Sequence, residues 1–83
     1  MAFRKRRAWK PRKIDIEWVG ELIRLMSNGT WIVPASGAIY QFDHDTKTLT
    51  LSHRGNQSAE NHSRNVVCFA AHGWKVVPDT LPE

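Results

Sequence analysis

The chain has 83 residues, of which 12 are Lys or Arg and 8 are Asp or Glu, giving a formal net charge of +4, and it has a single cysteine. The length predicts one small domain and leaves no room for a second, because domains usually have about 100 to 150 residues. One cysteine excludes an intramolecular disulfide framework, and no segment approaches the roughly 18 apolar residues of a membrane span. We therefore expect a soluble intracellular protein, which is cytoplasmic or, in a eukaryotic host, nuclear.

The first 13 residues, MAFRKRRAWKPRK, form a basic segment that contains seven of the twelve Lys and Arg residues and no acidic residue. The rest of the chain has five basic and eight acidic residues, so the charge divides into +7 for the basic segment and −3 for the remainder. Adjacent like charges repel one another, and Pro11 disfavours helical dihedrals at Lys10. We predict a flexible N-terminal arm over residues 1–13, a folded domain over residues 14–78 and a C-terminal tail over residues 79–83.

The first predicted helix covers residues 14–27. Asp15 suits the N-cap position, and Ile14 can pack on Val19 as a hydrophobic staple. Apolar residues at steps of three and four predict one buried face, which consists of Trp18, Val19, Leu22, Leu25 and Met26. The Asn-Gly pair at positions 28 and 29 is a favourable helix stop, because either residue can adopt the left-handed conformation of a C-terminal cap.

Three strands and a second helix follow in the predicted order. Residues 30–33, 38–42 and 47–53 predict the strands, since the first is rich in β-branched and aromatic residues and the third alternates apolar with polar residues. A short polar turn at residues 43–46 predicts an antiparallel hairpin between the second and third strands. A second helix is predicted at residues 59–72, with Ser58 as N-cap and Gly73 as stop, and a short fourth strand at residues 74–77.

These elements predict a single small α+β domain in the order α-β-β-β-α-β, with an antiparallel sheet of three to four strands and both helices on one face. The order helix, three strands, helix is similar to that of the double-stranded RNA-binding domain. That family has a lysine cluster at the start of its second helix, whereas residues 58–64 here have one arginine beside Glu60. The chain is therefore not assigned to that family.

The basic segment has the composition expected of a phosphate-binding arm, because each Lys or Arg brought against a phosphate releases condensed counterions. Trp9 can stack on an exposed base or lie along a groove. On the folded domain, the polar face of the third strand (Thr48, Thr50, Ser52 and His53), extended by Arg54, is the surface most suited to assist the arm. The candidate nucleic-acid-binding residues are Arg4, Lys5, Arg6, Arg7, Trp9, Lys10, Arg12, Lys13 and Arg54. A targeting signal and a cationic arm for an acidic protein are the alternatives.

The three tryptophans of the folded domain have either a core or a binding role. Their segments favour a core position for Trp18 and Trp74, because a small domain needs the area that these rings bury. For Trp31 the sequence does not distinguish a core role from a binding role.

Two constellations of His, Cys and Asp residues are weighed as chemical sites. Cys68 and His72 lie four apart on the predicted second helix, with His62 or His53 as a third ligand, but a zinc site normally shows two tight ligand pairs. The segment Asp43-His44-Asp45 could act with His53 in acid–base chemistry, yet it is also ordinary turn composition. We predict no metal, no cofactor and no catalytic residue, and therefore a protein that is not an enzyme.

The preferred functional prediction is a small nucleic-acid-binding protein, for DNA rather than RNA, with low sequence specificity and an accessory role in transcription or replication. The alternative is a protein-interaction module, namely a small regulator or inhibitor that docks on a larger enzyme. A virus is one candidate source of such a protein. A third hypothesis is a structural accessory protein of a ribonucleoprotein. We expect no membrane partner and a monomer or homodimer.

Overall fold

A helix, a three-stranded meander, a second helix and a short final strand make up the computed structural model, which describes residues 10–81. The elements are α1 (Lys13–Leu25), β1 (Gly29–Ile32), β2 (Ile39–Asp43), β3 (Thr48–His53), α2 (Ala59–Ala70) and β4 (Lys75–Val77). The predicted α+β class and the predicted order of elements are confirmed. The first nine residues of the predicted arm and the last two of the predicted tail lie outside the described residues.

The four strands form one mixed sheet in the order β1-β2-β3-β4. β1 and β2 are antiparallel, and so are β2 and β3, which confirms the predicted hairpin. β4 is parallel to β3, with Leu49 opposite Val76, so the sheet is not wholly antiparallel. The physical reason is that α2 runs back along the sheet between these strands, and a helical crossover returns the chain in its original direction.

The start of α1 differs from the prediction by three positions. Arg12 is the N-cap, and Asp15 lies at the third helical position, where its Oδ2 atom accepts a hydrogen bond from the backbone N–H of Arg12 at 3.1 Å. The acidic residue of a capping box makes this hydrogen bond. Asp15 therefore caps the N-terminus of the helix from the third helical position and is not itself the N-cap.

The end of α1 also comes earlier than predicted. The helix ends at Leu25 with Met26 as C-cap, and Gly29 already belongs to β1. The side-chain Oδ1 atom of Asn28 accepts a hydrogen bond from the backbone N–H of His44 at 2.7 Å, so Asn28 links this connection to the β2–β3 turn.

The buried face of α1 is rotated relative to the predicted one. Val19 is in the core, and Leu22, Ile23 and Met26 pack against it. Trp18 is 56% exposed and Leu25 is 80% exposed, so the predicted core role of Trp18 is wrong. Two overlapping apolar faces, both containing Val19 and Leu22, are available on this helix, and the sheet takes the one that includes Ile23. Ile14 is 64% exposed as well, so no hydrophobic staple forms on Val19.

The core lies between the helices and one face of the sheet. Its buried side chains include Tyr40, Phe42, Leu49 and Val76 from the sheet, Val19, Cys68 and Phe69 from the helices, and Trp74. The predicted core position of Trp74 is therefore confirmed. Trp31 packs partly buried against this core, with its ring 5.3 Å from that of Tyr40.

The predicted start of α2 is confirmed, and its end comes two residues earlier than the predicted residue 72. The Oγ atom of Ser58 accepts a hydrogen bond from the backbone N–H of Asn61 at 3.1 Å, which confirms Ser58 as the N-cap. α2 ends at Ala70, and Gly73 adopts a φ of 78°, the left-handed conformation that favours glycine after a helix.

Candidate nucleic-acid interface

Four of the nine predicted nucleic-acid-binding residues lie in the described part of the chain. The other five, Arg4, Lys5, Arg6, Arg7 and Trp9, lie outside it. Lys10, Arg12 and Lys13 are exposed at the start of α1, and Arg54 is exposed in the loop between β3 and α2. The basic segment therefore joins the domain at the N-terminal end of α1, where the partial positive charge of the helix also favours anions.

Arg12 is held by the first turn of α1 rather than extending freely into solvent. Its Nε and Nη2 atoms donate hydrogen bonds to the Asp15 carboxylate at 3.0 and 3.1 Å, although its side chain remains 76% exposed. These hydrogen bonds lower the pKa of Asp15 and raise the pKa of Arg12. Arg12 presents its outer face to solvent, and Asp15 neutralises part of its charge.

Two adjoining hollows lie beside this ion pair, between α1 and α2. The first has a volume of about 420 Å³ and the second about 220 Å³. Both are lined by Trp18, Arg64 and Asn65, so they form one continuous surface, which we call the Trp18 groove. Its other lining residues are Arg12, Asp15, Val19 and Cys68 in the larger hollow and Trp31, Val33, Gln57 and Asn61 in the smaller one.

Trp18 gives this groove an exposed aromatic face. More than half of its surface is accessible to solvent, and its ring centroid lies 6.5 Å from that of Trp31 at an interplanar angle of 54°. Trp31 in turn stacks on Tyr40. Aromatic rings prefer offset or tilted arrangements at these separations, so Trp31 supports Trp18 from the core side and leaves its other face open.

Three amide side chains line the groove, and a buried hydroxyl orients two of them. The Nε2 atom of Gln57 and the Nδ2 atom of Asn65 donate hydrogen bonds to the Tyr40 hydroxyl at 3.2 and 3.3 Å. The Oε1 atom of Gln57 also accepts a hydrogen bond from the Ser36 hydroxyl at 2.8 Å. The third amide, Asn61, is exposed one helical turn before Asn65.

The Tyr40 hydroxyl uses its full hydrogen-bonding capacity. The Nε2 atom of His62 faces the carbonyl oxygen of Pro78, which can only accept, so Nε2 carries the proton and Nδ1 is the acceptor. The Tyr40 hydroxyl therefore donates to Nδ1 of His62 at 2.9 Å and accepts from both amides. This buried network fixes the amide groups at the floor of the groove.

Two arginines are connected to the groove, one by lining it and the other by a hydrogen bond to a lining residue. Arg64 lines both hollows and forms an ion pair with Glu60 at 2.7 Å. The Nε atom of Arg54 donates a hydrogen bond to the backbone carbonyl of Gln57 at 3.1 Å, which ties Arg54 to a residue of the groove. Arg54 was predicted to extend the polar face of β3, and the structure also connects it to the Trp18 groove.

A third hollow lies on the other side of α1. A hollow of about 520 Å³ there is lined by Glu17 and Glu21, together with Gly20, Ile23, Arg24, His72 and Trp74. Arg24 forms an ion pair with Glu21 at 3.0 Å, and Glu17 is an exposed member of the same lining. Lys13 lies four residues before Glu17 on the same face of α1, so this side combines two basic with two acidic side chains and has no excess of basic charge.

Thr48, Thr50 and Ser52 of the predicted polar face lie on the side of the sheet away from the helices, whereas His53 alternates to the side of the core residue Leu49, so the four side chains do not share one face. Thr50, Ser52 and His53 are exposed, and Thr48 is half-buried. The Ser52 hydroxyl donates a hydrogen bond to the carbonyl of Ile39 at 3.1 Å, so part of this face is engaged within the sheet.

The residues weighed as metal ligands do not come together. Cys68 is buried, and burial raises the pKa of its thiol. The Nε2 atom of His72 bonds the carbonyl of Ile16 at 2.6 Å, and His62 belongs to the network described above. Among residues 10–81, no group of three or more His, Cys, Asp and Glu side chains is arranged to hold a metal ion.

The residues weighed for acid–base chemistry have local hydrogen bonds in the β2–β3 turn. The Oδ1 atom of Asp43 accepts from the backbone N–H groups of Asp45 and Thr46 at 3.0 and 3.3 Å, which is the ordinary use of Asp in a turn. The ring of His44 bonds the carbonyl of Met26 at 2.7 Å and lies edge-on to Trp74.

Comparisons with protein-family models, with curated proteins and with solved structures give no match. In the described part of the chain, neither helix combines the length and apolar content that crossing a bilayer requires.

The Trp18 groove is not among the sites predicted from the sequence. One signal was present, because Asn61 and Asn65 are four residues apart and must share a face of α2 with Arg64 nearby. The position of Trp18 beside them could not be read from the sequence, since the apolar period of α1 placed that side chain in the core.

Proposed function

We propose that this protein binds nucleic acid, with DNA as the main partner and with low sequence specificity. The basic segment supplies most of the affinity through phosphate contacts, which depend on charge and not on base sequence. The folded domain adds the Trp18 groove at the point where that segment meets α1. The proposal includes no catalytic step.

One observation carries this proposal: the +7 segment leads directly into an exposed aromatic and amide-lined groove. Arg12 lines the larger hollow of that groove, and Lys10 and Lys13 are exposed at the same end of α1. A polyanion bound at Arg12 is thereby held beside Trp18, which lines the same hollow. DNA is favoured over double-stranded RNA because the first turns of α2 lack a lysine cluster.

The test is fluorescence anisotropy with labelled duplex DNA, single-stranded DNA and RNA at several salt concentrations. If about five of the seven basic residues contact duplex DNA, the logarithm of affinity falls with the logarithm of salt concentration at a slope of about −4 to −5. A variant with Arg4→Gln, Lys5→Gln, Arg6→Gln and Arg7→Gln should reduce the magnitude of that slope by about 3 to 4. It keeps Arg12 and Lys13, so the start of α1 is preserved.

The matched control removes two basic charges from the folded domain, through Lys47→Gln and Lys75→Gln. These exposed residues are adjacent at one end of the sheet, where the backbone N–H of Lys75 bonds the carbonyl of Lys47. The control should change the slope by less than about 1. A full chain that binds none of the three nucleic acids at moderate salt refutes the proposal.

A second candidate function is docking on a larger protein, and one observation favours it. Ile14, Trp18 and Leu25 are exposed on one side of α1, and exposed apolar side chains in a row are typical of protein interfaces. The basic segment would then contact an acidic patch of the partner. Leu25 distinguishes the two functions, because Leu25→Ala weakens docking along this strip and leaves nucleic-acid binding unchanged.

A further inference from the structure

We infer that the Trp18 groove is a binding site for an unstacked base of single-stranded DNA. This inference rests on the proposed function and adds a preference for single strands over duplex. It assigns Trp18 the role of stacking platform, the amides of Asn61 and Asn65 the role of hydrogen-bonding groups for the base edge, and Arg12 and Arg64 the role of phosphate contacts.

The stacking role follows from the exposure and support of the Trp18 ring. An exposed tryptophan whose other side packs near Trp31 offers a fixed flat surface, and every base has a face that can stack on it. Within a duplex the bases are already stacked on one another, so a single strand can supply a base to this ring without unpairing. The site therefore discriminates by strandedness and only weakly by sequence.

The amide groups give the site polar contacts close to the ring. Asn65 is oriented by its hydrogen bond to the buried Tyr40 hydroxyl, which engages Nδ2. Asn61 is exposed on the same side of α2, where its amide can rotate to match donors or acceptors of different bases. One fixed and one adaptable amide suit a base edge that varies along the strand.

The choice of a nucleic acid strand over a protein segment follows from charge. Arg12 and Arg64 line the larger hollow, and Lys10 and Lys13 are exposed at the same end of α1. The two carboxylates nearby, Asp15 and Glu60, are each paired with one of these arginines. Together with the basic segment, the groove favours a ligand that presents a negative charge beside each aromatic group, which is the repeating unit of a single strand.

The experiment uses the full chain and two probes of equal length, a labelled oligothymidylate and the same backbone without bases. The intact protein should bind the oligothymidylate about 5- to 150-fold more tightly than the abasic strand, the range associated with loss of one stacked base. Trp18→Ala should remove that difference, whereas Trp18→Phe should keep most of it because a phenyl ring still stacks. Binding of Trp18→Ala to the abasic strand should equal that of the wild type.

The control is Leu25→Ala, which removes another exposed apolar side chain on the same side of α1, two helical turns away and outside the groove lining. It should leave both affinities unchanged. Since Trp18 is exposed, the variants should fold, and circular dichroism checks this. If Trp18→Ala does not fold, Trp9→Ala should keep the preference for oligothymidylate over the abasic strand, because Trp9 is the other candidate for stacking on a base, and loss of that preference overturns the base site at Trp18.

The outcomes separate this inference from the function on which it rests. Equal wild-type affinity for the two strands, or oligothymidylate binding that Trp18→Ala leaves within about twofold, overturns the base site but not the proposed function. Absence of binding to either strand and to duplex DNA overturns both. Equal losses of oligothymidylate affinity in Leu25→Ala and Trp18→Ala also overturn the base site and favour protein docking along α1.

Discussion

Removal of the Tyr40 hydroxyl by Tyr40→Phe tests the network that supports both the core and the groove. Tyr40 has no exposed surface, and its hydroxyl takes part in three hydrogen bonds, with His62, Gln57 and Asn65. Phenylalanine keeps the ring and its packing on Trp31, so the change isolates the polar contribution. The perturbation leaves an acceptor on His62 and a donor on Gln57 buried without this partner.

The magnitude can be worked from these contacts. A buried polar group that loses its partner costs about 1 to 3 kcal/mol, and two such groups are created at His62 and Gln57, which are 0% and 4% exposed. Asn65 is half-buried and can turn toward water, so its loss is smaller. We expect the free energy of unfolding to fall by about 2 to 4 kcal/mol. A domain of this size has a total of only about 4 to 12 kcal/mol.

The assay is equilibrium unfolding in urea, followed by far-ultraviolet circular dichroism. The matched control is Thr30→Val, which removes an exposed hydroxyl that donates to Gln41 at 3.2 Å and should cost less than about 0.5 kcal/mol. A double variant, Tyr40→Phe with His62→Phe, should be less destabilised than the sum of the two single changes because neither partner is then left alone. A loss below about 1 kcal/mol in Tyr40→Phe, or strict additivity, would refute the reasoning.

Three other predictions concern single groups. Gly55 has a φ of 58°, and a Cβ atom there would lie 2.4 Å from the carbonyl oxygen of Ser36. Gly55→Ala should therefore lower the free energy of unfolding, measured in urea, by at least about 2 kcal/mol. The control Gly37→Ala, where the space is open, should lower it by about 1 kcal/mol. Asp15→Asn should raise DNA affinity and steepen the salt slope by just under 1 by releasing Arg12; an unchanged slope contradicts this. Burial raises the pKa of Tyr40, so the unfolded chain ionises first, near pH 10, and stability falls only above that pH. Since Tyr40 is the only tyrosine, its tyrosinate absorbance should appear together with unfolding and not before it.

The candidate interface was predictable where charge alone defines it. The division into a basic segment and an acidic remainder is a property of composition, and no tertiary information is needed to see it. Arg54 was selected for its place after the third strand, and the structure ties it to Gln57. The amide cluster was not selected, because Gln57 and Asn65 acquire their positions from a hydroxyl on a distant strand.

Trp18 was predicted in the core and is exposed, because the apolar period of a helix does not specify which of its apolar residues are buried. A helix with apolar residues at positions 18, 19, 22, 23, 25 and 26 has more apolar surface than one sheet can cover. The 100° spacing of its side chains defines which residues can be buried together, but not which of two overlapping sets is chosen. That choice depends on where α2 and the sheet lie.

The sequence by itself determined the elements, their order and the α+β class, because turns, caps and apolar periods act over a few neighbouring residues. Ser58, Gly73 and the polar turn at residues 43–46 are local signals of this kind, and each has the predicted effect. Only the tertiary structure decided the parallel direction of β4, the exposure of Trp18 and the assembly of the groove. These features depend on contacts between residues far apart in the chain, such as those of Tyr40 with His62 and Asn65, and local preferences do not specify which distant surfaces meet.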